Sequence, residues 1–222
     1  MMNGEIFAPE IGNTKKSITS PVILFAQLDI FYNAKKMGTE LTVAKSLDWI
    51  EHVNTQCYQG RWDVLPLMVP KEHVDSHIIL QSFPFGNESQ WVESHYLKKL
   101  PIIKALITRF QCEVLSARLM RLHNNAYIKP HRDQGLSLEA SSQARIHIPL
   151  ETTPEVRFQV DNALVPMDVN SVWYINADAE HSVKNLGNTP RINLVIDCNV
   201  NEWLFNLIVN SKNKTYCRKK VS

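Results

Sequence analysis

The chain has 222 residues, 44% of them hydrophobic and 21% charged, which excludes a disordered or fibrous class and fits a globular protein. A formal net charge of +2 gives no electrostatic basis for binding nucleic acid or an anionic membrane, and neither is expected as a partner. The four cysteines (Cys57, Cys112, Cys198 and Cys217) form no C-x-x-C pair, which argues against a zinc knuckle or a disulfide framework and suits a reducing compartment.

Along the chain, the first sixteen residues lack the charged-then-apolar order of a secretory signal, and no apolar run approaches the length of a membrane span. The reading is a cytoplasmic, soluble chain. Residues 42–54 place Val43, Leu47, Ile50 and Val53 at helical spacing behind Thr42 as a cap, predicting a helix. A second helical stripe runs through Leu97, Leu100, Ile103, Leu106 and Ile107 over 96–110, interrupted by Pro101. The texture then changes to short strands, predicted over 113–122, 127–131, 144–150, 156–160, 171–176, 181–185 and 191–198. Asn124-Asn125, Asp161-Asn162 and the stretch from Leu186 to Pro190 supply the turns between them. Strands at this spacing favour a sandwich or jelly roll. An amphipathic helix is expected over 201–209, and the basic residues Lys212, Lys214, Arg218, Lys219 and Lys220 read as a solvated tail. One domain is expected: a helical part over 1–110, a β core over 111–200, and the helix and tail over 201–222.

Within this β region, His131 and Asp133 stand two apart. On a strand that spacing aims an imidazole and a carboxylate to one side. His181 begins a strand near the far end of the same region and is the candidate third ligand. Two histidines and one carboxylate leave three adjacent positions vacant on an octahedral ion, the arrangement of ferrous oxygenases; zinc accepts the same donors, so the set alone does not choose the metal. Arg191 follows His181 across a tight turn and begins the next strand, expected to run antiparallel to the first. A buried arginine there is costly unless a carboxylate meets it, and guanidinium offers the planar fork that carboxylates accept best. 2-Oxoglutarate has the matching shape: one end chelates a metal and the other is a carboxylate. Arg145 and His147 form another same-face pair on an apolar strand, lining either a polar cavity or an exposed face. Arg118 and Arg121 point opposite ways on their strand. The other histidines, including His52, read as ordinary surface or core residues.

In order, Pro130-His-Arg-Asp133, Arg145-Ile-His-Ile-Pro-Leu150, His181-Ser-Val-Lys-Asn185 and Pro190-Arg-Ile-Asn-Leu-Val-Ile-Asp197 resemble the aspartyl/asparaginyl β-hydroxylase domain family, which also includes bacterial hydroxylases of free proline. The resemblance covers roughly 110–198. It implies a double-stranded β-helix of the jelly-roll or cupin kind, with N-terminal helices packed on it and a short C-terminal helix. It further implies an Fe(II)- and 2-oxoglutarate-dependent dioxygenase that hydroxylates a C–H bond with dioxygen, releasing succinate and carbon dioxide. On that match His131, Asp133 and His181 are the iron ligands. Arg191, His147 and Arg145 meet the cosubstrate, Arg145 reaching either its carboxylate or that of the substrate. Arg118 is a substrate contact, and Trp62, in a Gly60-Arg-Trp62 stretch, lines the substrate mouth or simply packs beyond a turn. Animal endoplasmic-reticulum members carry glycine where this chain keeps Asp133, so the resemblance leans toward soluble bacterial enzymes acting on free amino acids. The alternatives are the same chemistry on an Asp or Asn residue of a peptide, and a metal-holding jelly roll without turnover.

Overall fold

The structure is a computed structural model and describes residues 21–82, 90–139 and 142–217. The chain opens on β1 (Ile23–Gln27) and α1 (Ala34–Lys45), followed by β2 (Ile50–Glu51), β3 (Tyr58–Gln59), β4 (Trp62–Pro70), α2 (Ile78–Ser82), β5 (Trp91–Glu93) and α3 (Pro101–Ile107). Long β6 (Val114–Leu122) leads into β7 (Tyr127–His131), β8 (Gln143–Glu151), β9 (Val156–Val160), β10 (Ala163–Leu164) and β11 (Trp173–Ile175). The last elements are β12 (His181–Asn185), β13 (Arg191–Asn199), α4 (Glu202–Val209) and β14 (Lys214–Tyr216).

Two antiparallel sheets result. The larger has the order β14-β1-β11-β8-β13-β6-β4-β2, with β5 also on β4; the smaller has the order β10-β9-β12-β7-β3. Strand alternation sorts the side chains of the larger sheet. Leu65, Leu119, Ile146, Ile148, Leu194 and Ile196 share one core with Met37 and Leu41 of α1, Ile103 and Leu106 of α3, and Leu204 and Ile208 of α4. A second core, with Phe25, Trp62, Leu122 and Trp173 from the larger sheet and Ile128, Phe158, Val160 and Val183 from the smaller, lies between the sheets. The jelly roll expected from the sequence is therefore present, with helices on one side of it. Among the described residues no helix is long and apolar enough to cross a membrane.

Several expectations need correction. The first helix is α1, not residues 42–54: Asn33 caps its start by accepting from the Lys36 N–H, and the Trp49 indole donates to the Ala44 carbonyl at its end (2.7 Å). Ile50 and Glu51 then pair with Val64 and Asp63, so the sheet takes residues whose spacing suited a helix. The stretch 1–110 is not helical throughout, because β1 and β4 are members of the larger sheet and the β core extends beyond 111–200. Pro101 starts α3 instead of interrupting it, at a position where a helix needs no N–H from it. Lys214, expected in a solvated tail, lies in β14 against β1; Arg218, Lys219 and Lys220 lie outside the described residues, as do the first sixteen. Finally, β12 and β13 do not pair. The turn from Leu186 to Pro190 carries the chain from the smaller sheet to the larger, so His181 and Arg191 belong to opposite sheets.

Candidate metal centre

His131 ends β7 and pairs directly with His181, which begins β12. Their ring centroids are 4.2 Å apart. Each ring places Nδ1 against a backbone carbonyl, Lys129 O at 2.8 Å for His131 and Ala179 O at 3.0 Å for His181. A carbonyl can only accept, so both Nδ1 atoms carry a proton, and Nε2 is the atom each ring can offer to a metal. Those Nε2 atoms lie 3.9 Å (His131) and 4.0 Å (His181) from the Asp133 carboxylate oxygens. The three donor atoms fall within 4.8 Å of one another, a spacing one ion can bridge. Asp133 sits just beyond β7, not on it, and its N–H is held by the Ala177 carbonyl (2.8 Å). Burial pulls His181 down to about 4, assisted by His131, so the imidazole is neutral as a ligand must be. Burial pushes the Asp133 carboxyl up, but the Arg145 guanidinium, helped by Arg118, outweighs it and lowers the group below its ordinary value.

On one side of the triad a cavity of about 510 Å³ is lined by His131, Asp133, Arg145, Arg118, Trp62 and His52, among others. His52 stacks flat on Trp62, centroids 3.8 Å apart and planes 6° apart, and burial lowers its pKa to about 4. Arg145 does not reach freely into this space. Its Nε and Nη2 hold Asp197 (2.7 and 3.0 Å), while its Nη1 donates to Asp133 Oδ2. Arg118 donates to the same Asp197 (3.1 Å), whereas Arg121 turns away to Asp63, as the alternation of β6 requires.

On the other side lie Arg191, His147 and Phe158. Phe158 links them to the triad: its ring centroid is 5.1 Å from that of His147 and 6.3 Å from that of His181, and the Arg191 guanidinium carbon is 5.4 Å from it. Arg191 is 3% exposed, yet among the described residues its Nε has no hydrogen-bond partner, and its Nη2 meets the Met167 sulfur (3.4 Å). Asn193, two residues along the same face, is also buried, with its Oδ1 unpartnered among the described residues. Burial pulls Arg191 down to about 9 and pushes His147 well below its ordinary range. A buried guanidinium with no carboxylate beside it among the described residues is costly, and its donors suit an anionic group. The donor chemistry therefore fits both groups: two imidazole nitrogens and a carboxylate for a divalent ion, and an unsatisfied arginine for an anionic ligand.

A model of the aspartyl/asparaginyl β-hydroxylase family matches residues 34–200. The chain belongs to the aspartyl/asparaginyl β-hydroxylase family. Among curated proteins, the family relative L-proline cis-4-hydroxylase of Rhizobium meliloti (strain 1021) is 31% identical over 102 residues, covering 45% of this chain and 36% of that protein. L-proline cis-3-hydroxylase 1 of a Streptomyces species is 24% identical over 165 residues, covering 73% of this chain and 56% of that one. The chain thus spans between about a third and somewhat over half the length of these relatives. Of solved structures, an oxidoreductase of the 2OG-Fe(II) oxygenase family from Burkholderia pseudomallei shares the fold, with a TM-score of 0.51, 13% identity, and coverage of 81% of this chain and 88% of that one.

The structure brings His131, Asp133 and His181 together, sets Arg191 and His147 on one flank, and sets Arg145, Arg118 and Trp62 on the other. Sequence reasoning missed Asp197, which shares the inner face of β13 with Arg191 and Asn193. Its signal was an acid at even spacing from Arg191 on an otherwise apolar strand. His52 carried no such signal, since its place depends on the β2–β4 pairing.

Proposed function

We propose that this chain is an Fe(II)- and 2-oxoglutarate-dependent hydroxylase acting on a small amino-acid substrate. The observation that carries the reading is Arg191: a buried guanidinium with an unpartnered Nε among the described residues, packed on the Phe158 ring that also neighbours His181 of the three-donor cluster. In this reading His131, Asp133 and His181 hold the ion through two fixed Nε2 atoms and one carboxylate. Bound there, ferrous iron with 2-oxoglutarate and dioxygen supplies the oxidising power for C–H hydroxylation, with succinate and carbon dioxide as coproducts. Arg191 grips the distal carboxylate of the cosubstrate, and the charge it then meets removes the cost of its burial. His147, neutral because it is buried, contacts the same molecule without adding charge. Phe158 and Met167 keep water from the guanidinium. Arg118 and Trp62 face the substrate across the cavity.

A cavity of about 510 Å³ supports a small substrate. The names of the two curated relatives support a free amino acid, with L-proline the first to try. The test is succinate formation by purified protein with Fe(II) and 2-oxoglutarate across a panel of free amino acids and short Asp- or Asn-containing peptides. One free amino acid is expected to raise succinate several-fold over the substrate-free rate and to gain one oxygen atom. Metal uptake with no succinate under any condition would overturn the hydroxylase reading in favour of a metal-holding protein without turnover.

A further inference from the structure

Arg145 is already occupied. Resting on the metal-site reading above, we propose that Asp197, acting through Arg145, holds the Asp133 carboxylate as a one-oxygen metal ligand, which makes Asp197 a positioning residue of the centre. In the larger sheet, Asp197 of β13 lies directly opposite Arg145 on β8 and Ser116 on β6. The carboxylate receives Arg145 through Nε at 2.7 Å and Nη2 at 3.0 Å, which fixes the plane of the guanidinium. The remaining arm, Nη1, donates to Asp133 Oδ2. Asp197 is itself fixed from the other side by Arg118 Nη2 and Ser116 Oγ, both at 3.1 Å, with Arg118 Nη1 on Ser116 Oγ at 3.0 Å. The acid is buried and all of these partners lie on adjacent strands, so the chain of contacts is rigid.

Asp133 needs that support. It lies in the turn beyond β7, with its side chain 31% exposed, and no strand ladder sets its orientation. With Oδ2 held by Arg145, Oδ1 is left for the ion. A single oxygen takes one coordination position; two would take a position that a chelating cosubstrate needs. Charge acts in the same direction. A guanidinium beside a cation site repels the ion, and Asp197 offsets it. Removing the Asp197 charge loosens the Asp133 carboxylate and exposes the ion to Arg145 together.

The experiment is titration of the purified full chain with Mn(II), following the loss of the free-ion electron paramagnetic resonance signal, with the melting temperature of each metal-free variant measured alongside. Asp197→Asn is expected to weaken Mn(II) binding on the order of 10–100-fold, the usual effect of removing a partner behind a metal ligand. Arg145→Lys retains a charge for Asp197 to neutralise but cannot span both carboxylates, and it is expected to weaken Mn(II) binding as well. In an Arg145→Met background the Asp197→Asn change should have little further effect, because the two act as one unit. If Asp197 served only to neutralise buried arginines, the variants would melt lower yet bind Mn(II) as the parent does. Unchanged affinity in folded Asp197→Asn, or in Arg145→Lys should the former not fold, overturns the proposal alone. Failure of the parent chain to bind Mn(II) overturns the metal reading and the proposal with it.

Discussion

Arg191 and Arg145 both place a guanidinium on the inner face of the same sheet, and their surroundings separate their roles. Arg145 has two carboxylates; Arg191 has a thioether and the face of Phe158. Replacing Arg191 with Met therefore has an unusual pair of expected effects. The dissociation constant for 2-oxoglutarate should rise on the order of tenfold or more, the worth of a charge-assisted hydrogen bond or two. The metal-free protein should melt no lower than the parent, because an unpaired buried charge has been removed. Calorimetric titration and thermal melts check the two separately, and a clear loss of metal-free stability would mean that Arg191 has a structural partner instead. His181→Ala should abolish tight Mn(II) binding, since it removes one of three donors. At this scale the sequence was informative about which three donors come together, because residue type and order carry them. It was uninformative about what else each arginine touches: Arg145 and Arg191 look alike until Asp197 is seen opposite one of them.

The β4–β6 pair shows how elements hold the cavity wall. Trp62 faces inward to the cavity, and its neighbour Asp63 faces the other way, fully buried, accepting from Arg61 (2.8 Å), Arg121 (2.6 Å) and His123 (2.7 Å). Burial pushes the Asp63 carboxyl up, but the hydrogen bonds from His123, Arg61 and Arg121 outweigh it and leave the group below its ordinary value. A depressed acid contributes stability that is present above its unfolded value, about 4, and is lost as pH falls through the folded one. The melting temperature of the metal-free protein should therefore fall as the pH drops below about 4, and Asp63→Asn should flatten that slope. The same substitution should cost about 1–3 kcal/mol at neutral pH by leaving the half-buried Arg121 without its carboxylate, which urea unfolding can measure. The turn before β4 is equally constrained. Gly60 has φ +80°, and a Cβ there would lie 2.9 Å from Ala126 Cα, so Gly60→Ala should destabilise this edge of the cavity by more than the usual 1 kcal/mol for strained backbone. Strands with even spacing and clear turns were readable: residues 127–131, 156–160 and 181–185 match their predicted bounds, and Asp161 and Asn162 both adopt positive φ at the β9–β10 hairpin. The 42–54 stretch was misread because its apolar spacing suits a helix, while the pairing of Ile50 and Glu51 with β4 is a long-range choice that no local pattern records.

Across the molecule, two sheets hold the site between them. The smaller supplies His131, with Asp133 just beyond its strand, and His181; the larger supplies Arg118, Arg145, His147, Arg191 and Asp197. The jelly roll was legible from the run of short strands, but the assignment of β12 and β13 to opposite sheets was not, since the turn joining them looks like that of a hairpin. That crossing puts the His181 imidazole and the Arg191 guanidinium on different sheets, each beside the Phe158 ring. The most direct test is the absorption spectrum of the protein with Fe(II) and 2-oxoglutarate under anaerobic conditions. A visible charge-transfer band is expected that needs both components, vanishes in His181→Ala, and requires much higher 2-oxoglutarate in Arg191→Met. A protein that binds Fe(II) yet shows no such band at saturating 2-oxoglutarate would contradict the account.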